Sequence, residues 1–266
     1  MLQSRIQRSI PERLSHYTNL EALKSILSDQ AGKGICLWAF SNRCKNDDQE
    51  IMMGEYMLKR VREVLPTNAS LLHQFGGYDN TASVSFMEGH VNQHMLDVYG
   101  NFSLEFDLRK LGIGLLAGGL VDCEYVAENE LEEYANEYCT LINSTLNSIP
   151  KLQETYGKMS APPINNLIEF LMMEMDIMAK VICLKEQKWS EEKEWRKVFE
   201  MKPKESIHYY NGKPYMEFYL DKSTLTGITV FCSTDTLNKA KVEEKTIAHY
   251  ISERGYNANV RVEVFE

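Results

Sequence analysis

The chain has 266 residues, of which 44% are hydrophobic and 25% are charged, and its formal net charge is −9. This composition is typical of a globular protein, so disorder is not the expected state of the chain. The negative charge excludes a general electrostatic affinity for nucleic acid or for an anionic membrane. Six widely spaced cysteines form no CxxC pair, and no apolar run is long enough to span a membrane. We therefore expect a soluble, cytoplasmic protein with reduced thiols.

The stretch "RLSHYT" alternates as a β-strand does, with His16 and Thr18 on one face and Tyr17 on the other. Thr18 and Glu21 have the spacing of a capping box, which predicts that an amphipathic helix starts here. The cap accounts for Thr18 but leaves His16 unexplained. A histidine at the end of a strand is a candidate ligand-binding residue, and a structural role is the alternative.

The rest of the chain reads as a sheet interrupted by helices. Before residue 128, alternation predicts strands at 34–42, 81–88, 100–108 and around "LVDCEYV", and a long helix after a second capping box formed by Asp47 and Glu50. Residues 128–180 have helical spacing, and a further helix is predicted at about 235–254. Strands are again predicted in "KVICLKE", "EWRKVFEM", "PYMEFYL", "LTGITVFC" and "NVRVEVF". The pattern favours one α+β domain over 1–266, with 128–180 as a helical insertion.

A second candidate site lies in "KEQKWSEEKEWRKVF", residues 185–199. Strand alternation places Glu194 and Arg196 on one face and Trp195 and Lys197 on the other. Two charged side chains on a sheet face are costly to bury unless they pair with each other or bind a ligand. An exposed strand face is the alternative.

Two weaker motifs complete the candidates. Ser83 and Ser85 share a strand face with Thr81, and hydroxyl groups on a strand face usually have a structural role. His90 and His94 have the spacing of zinc ligands on a helix, but no third ligand accompanies them, so we predict no metal site. No GxGxxG or GxSxG motif is present, which disfavours a dinucleotide-binding Rossmann fold and a serine hydrolase.

In order, "LSHYTNLEALKSIL", "LWAFSNRCKNDDQE", "ASVSFME", "MLDVYGNFSLEFDL", "CEYV", "KEQKWSEEKEWRKVF" and "ITVFCSTD" resemble a bacterial family catalogued as domain of unknown function 2971. The resemblance covers most of the chain outside 128–180. Its most specific part is the opening histidine motif followed by W-x-x-E-x-E-W-R. The family often has a tryptophan before "YG", where this chain has Leu96 and Asp97, so an aromatic stacking role would fall to Tyr99.

The opening H-x-T strand is also similar to the first motif of ADP-ribosyltransferase folds, including DNA-modifying toxins. This resemblance implies a mixed, largely antiparallel split sheet of ADP-ribosyltransferase-like type with flanking helices, and NAD as the substrate. It implies catalytic roles for Glu194, His16 and Tyr99. The cofactor-binding residues that it implies are His16, Tyr17, Thr18, Ser83, Ser85 and Arg196.

The chemistry suits these residue types. Breaking the bond between nicotinamide and ribose develops positive charge on the sugar, which a carboxylate such as Glu194 stabilises. Arg196 would pair with the pyrophosphate, and His16 and Thr18 would hydrogen-bond the adenosine side of NAD.

We therefore expect a glycosyltransferase that acts on NAD, a toxin or anti-phage defence effector. Its acceptor would be a nucleic acid or a protein, and a cognate antitoxin or other protein would be its partner. Two alternatives stay open at this point. One is a non-catalytic binding or sensor module of the same fold, in which 128–180 docks a partner protein. The other is an NAD glycohydrolase, in which water is the acceptor.

Overall fold

The computed structural model describes residues 9–44, 48–64, 80–88, 91, 93–112, 119–148, 177–201 and 206–265. The strands within this part of the chain are β1 (Leu14–Thr18), β2 (Ile35–Ser41), β3 (Thr81–Met87), β4 (Phe102–Phe106), β5 (Leu120–Asp122), β6 (Glu124–Val126), β7 (Leu184–Glu186), β8 (Glu194–Glu200), β9 (His208–Tyr210), β10 (Lys213–Leu220), β11 (Leu225–Cys232) and β12 (Asn259–Val264). The helices are α1 (Leu20–Ile26), α2 (Asp48–Val64), α3 (Gln93–Tyr99), α4 (Leu131–Ser148), α5 (177–183) and α6 (Leu237–Ser252). A 3-10 helix, Gln187–Glu192, joins β7 to β8.

The main sheet has the strand order β12-β11-β4-β1-β3-β2-β10-β9, and β8 and β5 extend it from the other edge of β3. Its pairs are antiparallel except for β11 and β12, which are parallel. Strands β6 and β7 form a separate parallel pair. The expected α+β class with a mixed, mostly antiparallel sheet is therefore confirmed.

Strands β1 and β2 share one edge of β3. Ser15 of β1 faces Met87 of β3. Phe40 of β2 faces Ser83, which lies nearer the start of β3 on the same face of the sheet. Ser85 lies between these two contacts and pairs with neither β1 nor β2 among the described strands. On its other edge, β3 is paired with β8 along its full length. Pairing on this edge of β3 is therefore interrupted at Ser85, and we call this interruption between β1 and β2 the gap.

The two faces of the sheet pack against different helices. One face, which we call the α1 face, carries apolar side chains such as Leu14, Phe86 and Leu104 and buries them under α1 and α6. Alternation along the strands puts Ser15, Ser85 and the other intervening residues on the opposite face, which we call the α3 face. The burial of apolar side chains on the α1 face forms the main core.

The α3 face is covered in two places. Met95 of α3 packs on Tyr17, Met87 and Phe231 of three different strands. A larger cluster lies beside β5 and β8. It joins the helices α2, α4 and α5 through Met53, Met57, Leu58, Val61, Ala135, Tyr138, Cys139, Ile142, Ile177, Met178, Val181 and Ile182.

The predicted cap of α1 is wrong by one residue. The N-cap is Asn19, whose side chain accepts a hydrogen bond of 2.9 Å from the amide of Ala22. Thr18 is instead the buried last residue of β1. Asparagine caps a helix at least as well as threonine, and Asn19 caps α1 because Thr18 is part of strand β1.

Three other boundaries differ from the predictions. In "KVICLKE" only Leu184–Glu186 is a strand, because the residues before it complete α5. The stretch "LVDCEYV" forms two short strands in different sheets, with Cys123 between them. The connection predicted after β3 contains helix α3.

Part of the predicted 128–180 helical segment is confirmed by α4 and α5, and residues 149–176 lie outside the described part. Asp47 and the side chain of Glu50, the second predicted cap, also lie outside it. Among the described residues, no helix combines the length and hydropathy needed to cross a membrane.

Candidate functional site

His16 lies at the gap. Its Nδ1 is 3.0 Å from the carbonyl oxygen of Ser85, the β3 residue that pairs with neither β1 nor β2 among the described strands. Because a carbonyl oxygen only accepts, Nδ1 carries the proton and Nε2 of the neutral ring is an acceptor. Burial lowers the pKa of His16, and the hydrogen bond to Ser85 opposes this effect. The imidazole is therefore neutral near pH 7 and presents one acceptor nitrogen.

The strand register separates His16 from Glu194. Ser15 faces Met87, and Met87 faces Glu194, so these three residues form one row on the α3 face. His16 follows Ser15 and therefore belongs to the α1 face, where its ring lies 6.0 Å from that of Phe86. His16 and Glu194, which were both predicted to contact NAD, therefore lie on opposite faces of the sheet. A ligand reaches both only at an opening through the sheet.

Glu194 lies in a buried ion cluster at the start of β8. Its Oε1 accepts a 2.8 Å hydrogen bond from Nε of Arg196, and its Oε2 accepts bonds of 3.0 Å from Arg196 and 2.7 Å from Nζ of Lys185. Lys185 also bonds Glu192, so two carboxylates face two cations. Glu194 is 2% exposed and Arg196 is 1% exposed. Charges buried this deeply persist because each has partners of the opposite sign.

Backbone groups complete the cluster. The amide of Glu194 donates to the hydroxyl of Tyr125 at 2.8 Å, and its carbonyl accepts from the amide of Cys123 at 2.8 Å. Arg196 also donates to the carbonyl oxygen of Ile182. These contacts hold the backbone of Glu194 against β6 and the residue before it, and they hold Arg196, the partner of its carboxylate, against the end of α5. The predicted sharing of one face by Glu194 and Arg196 is confirmed, and the two side chains pair with each other.

The serines of β3 differ in their surroundings. Ser83 is buried and donates a 2.6 Å hydrogen bond to Asn42, whose amide donates to Thr81 at 2.9 Å. This network ties the end of β2 to β3. Ser85 is half-buried beside the gap and faces Arg196 across the β3–β8 ladder. Of the two predicted serines, Ser85 has the position that suits ligand contact.

Tyr17 is on the α3 face beneath helix α3. Its ring stacks on that of Phe231 at 6.2 Å, and burial is the main cause that raises its pKa to about 12. Thr18 is buried at the end of β1 on the α1 face. These two candidates therefore leave β1 in opposite directions.

Tyr99 is the last residue of α3 and is 41% exposed. The next residue, Gly100, has φ of +109°, and a Cβ there would lie 2.8 Å from the carbonyl oxygen of Thr18. This close approach explains why glycine follows the tyrosine. It holds the end of α3 against the end of β1 and so brings Tyr99 near the histidine strand.

Sequence reasoning missed an aromatic cluster on β2, β9 and β10. The register of β2 on β3 puts Trp38 at the level of Ser85 on the α3 face. Its ring lies 4.4 Å from that of Tyr215 and 5.3 Å from that of Tyr210, which is 53% exposed. The signal was present in "LWAF", where Trp38 and Phe40 alternate with residues of the core.

A second missed contact joins α3 to the 3-10 helix before β8. The rings of His94 and Trp189 lie 4.8 Å apart, so the first tryptophan of W-x-x-E-x-E-W-R packs on α3. His90, the other histidine of the motif, lies outside the described residues. In the part of the chain that the structure describes, no group of three or more His, Cys, Asp or Glu side chains is placed to hold a metal ion.

Comparison with known proteins adds no relative: no family model, no curated protein and no solved structure matches the chain. The resemblance to domain of unknown function 2971 and to ADP-ribosyltransferase folds therefore stays a prediction. The functional argument depends on the geometry of the gap and of the ion cluster.

Proposed function

We propose that the protein is an NAD-dependent ADP-ribosyltransferase-like enzyme that binds NAD at the gap. The observation that carries the proposal is the position of His16, which hydrogen-bonds the carbonyl of Ser85, a residue that pairs with neither β1 nor β2 among the described strands. A continuous sheet needs no histidine at this position, because a neighbouring strand would satisfy the carbonyl. An opening between two strands lets one ligand contact side chains of both faces.

The residues around the gap suit the parts of a dinucleotide. His16 offers Nε2 as an acceptor for a ribose hydroxyl. On the α3 face, Trp38 offers an aromatic ring at the level of Ser85 for stacking against a planar base. Tyr99, at the end of α3, is near the histidine strand and partly exposed.

The ion cluster lies across β3 from the gap. Arg196 faces Ser85 directly across the β3–β8 ladder. Glu194 lies on the same face of the sheet, diagonally opposite Ser85. In the proposed reaction Glu194 stabilises the positive charge that develops on the ribose as the nicotinamide leaves. Hydrogen bonds from Lys185 and Arg196 fix the direction of this carboxylate. The acceptor of the proposed transfer is a nucleic acid or a protein.

Calorimetry with NAD tests the binding part of the proposal. We expect a heat of binding for the wild-type protein that His16→Ala and Trp38→Ala each weaken by about tenfold, the effect of losing roughly 1.4 kcal/mol of contact. His249→Ala is the matched control, because this histidine is exposed on α6. No heat for the wild-type protein would overturn NAD binding.

Incubation with labelled NAD and cell extract tests the chemistry. We expect label transfer to a macromolecule that Glu194→Gln abolishes, measured under conditions in which circular dichroism shows the variant to be folded. Free ADP-ribose as the only product would select the glycohydrolase instead. Transfer unchanged in Glu194→Gln would remove the carboxylate from the mechanism.

One observation favours a second candidate, the non-catalytic binding module. Both carboxylate oxygens of Glu194 are already bonded to cations, as in a structural ion cluster. A module of this kind would bind its ligand at the gap without turnover. NAD binding that depends on His16 but is unchanged by Glu194→Gln, with no product formed, would select it.

A further inference from the structure

Cys123 and Cys183 directly precede two short parallel strands that pair with each other. Glu124 of β6 faces Leu184 of β7; Cys123 precedes Glu124, and Cys183, the last residue of α5, precedes Leu184. Both cysteines lie in the same buried cluster. Opposed residues on paired strands lie about 5 Å apart, so the pairing of Glu124 with Leu184 brings the two preceding cysteines close to the Cα separation of about 4.4 to 6.8 Å that disulfides span.

We propose that Cys123 and Cys183 are a redox modification site that forms a disulfide when the protein meets a thiol oxidant. In this step two S–H bonds break and one S–S bond forms. The two thiols release two protons and two electrons to the oxidant. A diazenedicarboxamide such as diamide accepts them and becomes the hydrazine.

The backbone around this pair holds the ion cluster. The amide of Cys123 donates to the carbonyl of Glu194 at 2.8 Å. Cys183 follows Ile182, whose carbonyl accepts from Arg196, and it precedes Lys185 by two residues. A bond between the sulfur atoms therefore joins the two segments that support Glu194 and its cations. Oxidation would fix the position of the carboxylate from both sides.

The surroundings of the pair set its rate of oxidation. Cys123 and Cys183 are 5% and 2% exposed, and burial is the main cause that raises the pKa of Cys123. Arg196 acts against this effect, whereas Glu194 and Cys183 add to it. Because the thiolate is the reacting form, the disulfide forms slowly at neutral pH and faster as the pH rises.

The test is thiol mapping of the full chain. The folded protein is treated with diamide, free thiols are blocked with N-ethylmaleimide, and the digest is analysed by mass spectrometry. We expect one crosslinked peptide that contains Cys123 and Cys183 and is released by dithiothreitol. Cys123→Ala and Cys183→Ala abolish it, and Cys232→Ala, a change at a half-buried cysteine of β11, leaves it intact.

The melting temperature gives a second readout that is independent of NAD. We expect diamide to raise it in the wild-type protein and in Cys232→Ala, because a crosslink restricts the unfolded chain. We expect no rise in Cys123→Ala. Two free thiols at these positions after oxidation of the folded protein, or crosslinks spread over all six cysteines, would refute the site. Neither outcome bears on the proposed reaction with NAD.

Discussion

His16 and Glu194 project from opposite faces of one sheet, although their strands are separated only by β3. A pocket on either face alone would contact one of them and not the other. The gap at Ser85 is the place where a ligand could meet both, because there the strands on one edge of β3 diverge.

Replacement of Glu194 should destabilise the protein as well as affect the chemistry. Glu194→Gln leaves Lys185 and Arg196 with an excess of buried positive charge, and we expect a loss of about 3 kcal/mol in the free energy of unfolding. Urea denaturation measures this loss. Glu191→Gln, at an exposed position of the same segment, is the control and should change stability little. Equal stability of the two variants would mean that the cluster is solvated.

Gly100 should not tolerate a side chain. Gly100→Ala forces a Cβ to 2.8 Å from the carbonyl oxygen of Thr18 at a positive φ, and we expect a loss of about 2 kcal/mol. Gly255→Ala is the matched control, since its φ is also positive but nothing lies within 4 Å of the added atom. Thermal unfolding of both variants separates the clash from the backbone strain. Identical losses would show that α3 can move away from β1.

Lys197 should reduce stability at neutral pH. It is 7% exposed, its ammonium lies near the rings of Phe199 and Phe218, and burial lowers its pKa below the ordinary 10.5. The unfolded chain therefore binds the proton of Lys197 more tightly than the folded protein does. The resulting decrease in the free energy of unfolding is complete below the folded-state pKa and disappears as the pH rises toward 10.5. We expect Lys197→Met to be more stable than the wild type at neutral pH by about 1 kcal/mol.

This advantage should shrink when urea denaturation is repeated near pH 10.5, the ordinary lysine pKa. Lys239→Met, at an exposed position of α6, is the control and should show no such change. An advantage of Lys197→Met that grew with pH would contradict the assigned direction of the pKa shift.

Asn19, and not Thr18, should carry the cap of α1. Asn19→Ala removes the acceptor for the amide of Ala22, and we expect a loss of about 1 kcal/mol. Glu21→Ala tests the capping box that the sequence suggested, and it should change stability by only a few tenths of a kcal/mol. Differential scanning calorimetry of the two variants decides between the caps. A larger loss for Glu21→Ala would restore the capping box.

Alternation within a strand was predictable from the sequence. It predicted that Glu194 and Arg196 lie on one face of their strand, and that His16 and Thr18 lie on one face of theirs. Both predictions are confirmed. The relation between strands was not predictable, because a shift of one residue in the register moves every side chain to the other face. Only the contacts of Ser15 with Met87, and of Met87 with Glu194, decide that His16 and Glu194 are on different faces.

The ion-pair partners of the charged residues could not be predicted from the sequence either. The sequence predicted that Glu194 would need a partner or a ligand, but Lys185 reaches it only through the short β6–β7 pair, which "LVDCEYV" and "KVICLKE" did not indicate as a separate sheet. Trp38 was predicted to lie in a strand, but the strand pattern does not show which aromatic rings meet it. Local pattern thus predicted which residues share one face of a strand, and three-dimensional contacts decided what those residues meet.

Among the described strands, β3 is the one that pairs with both the β12-β11-β4-β1 part and the β2-β10-β9 part of the sheet. The relative position of β1 and β2 at Ser85, where we propose that the ligand binds, therefore depends on the pairing of each of these strands with β3.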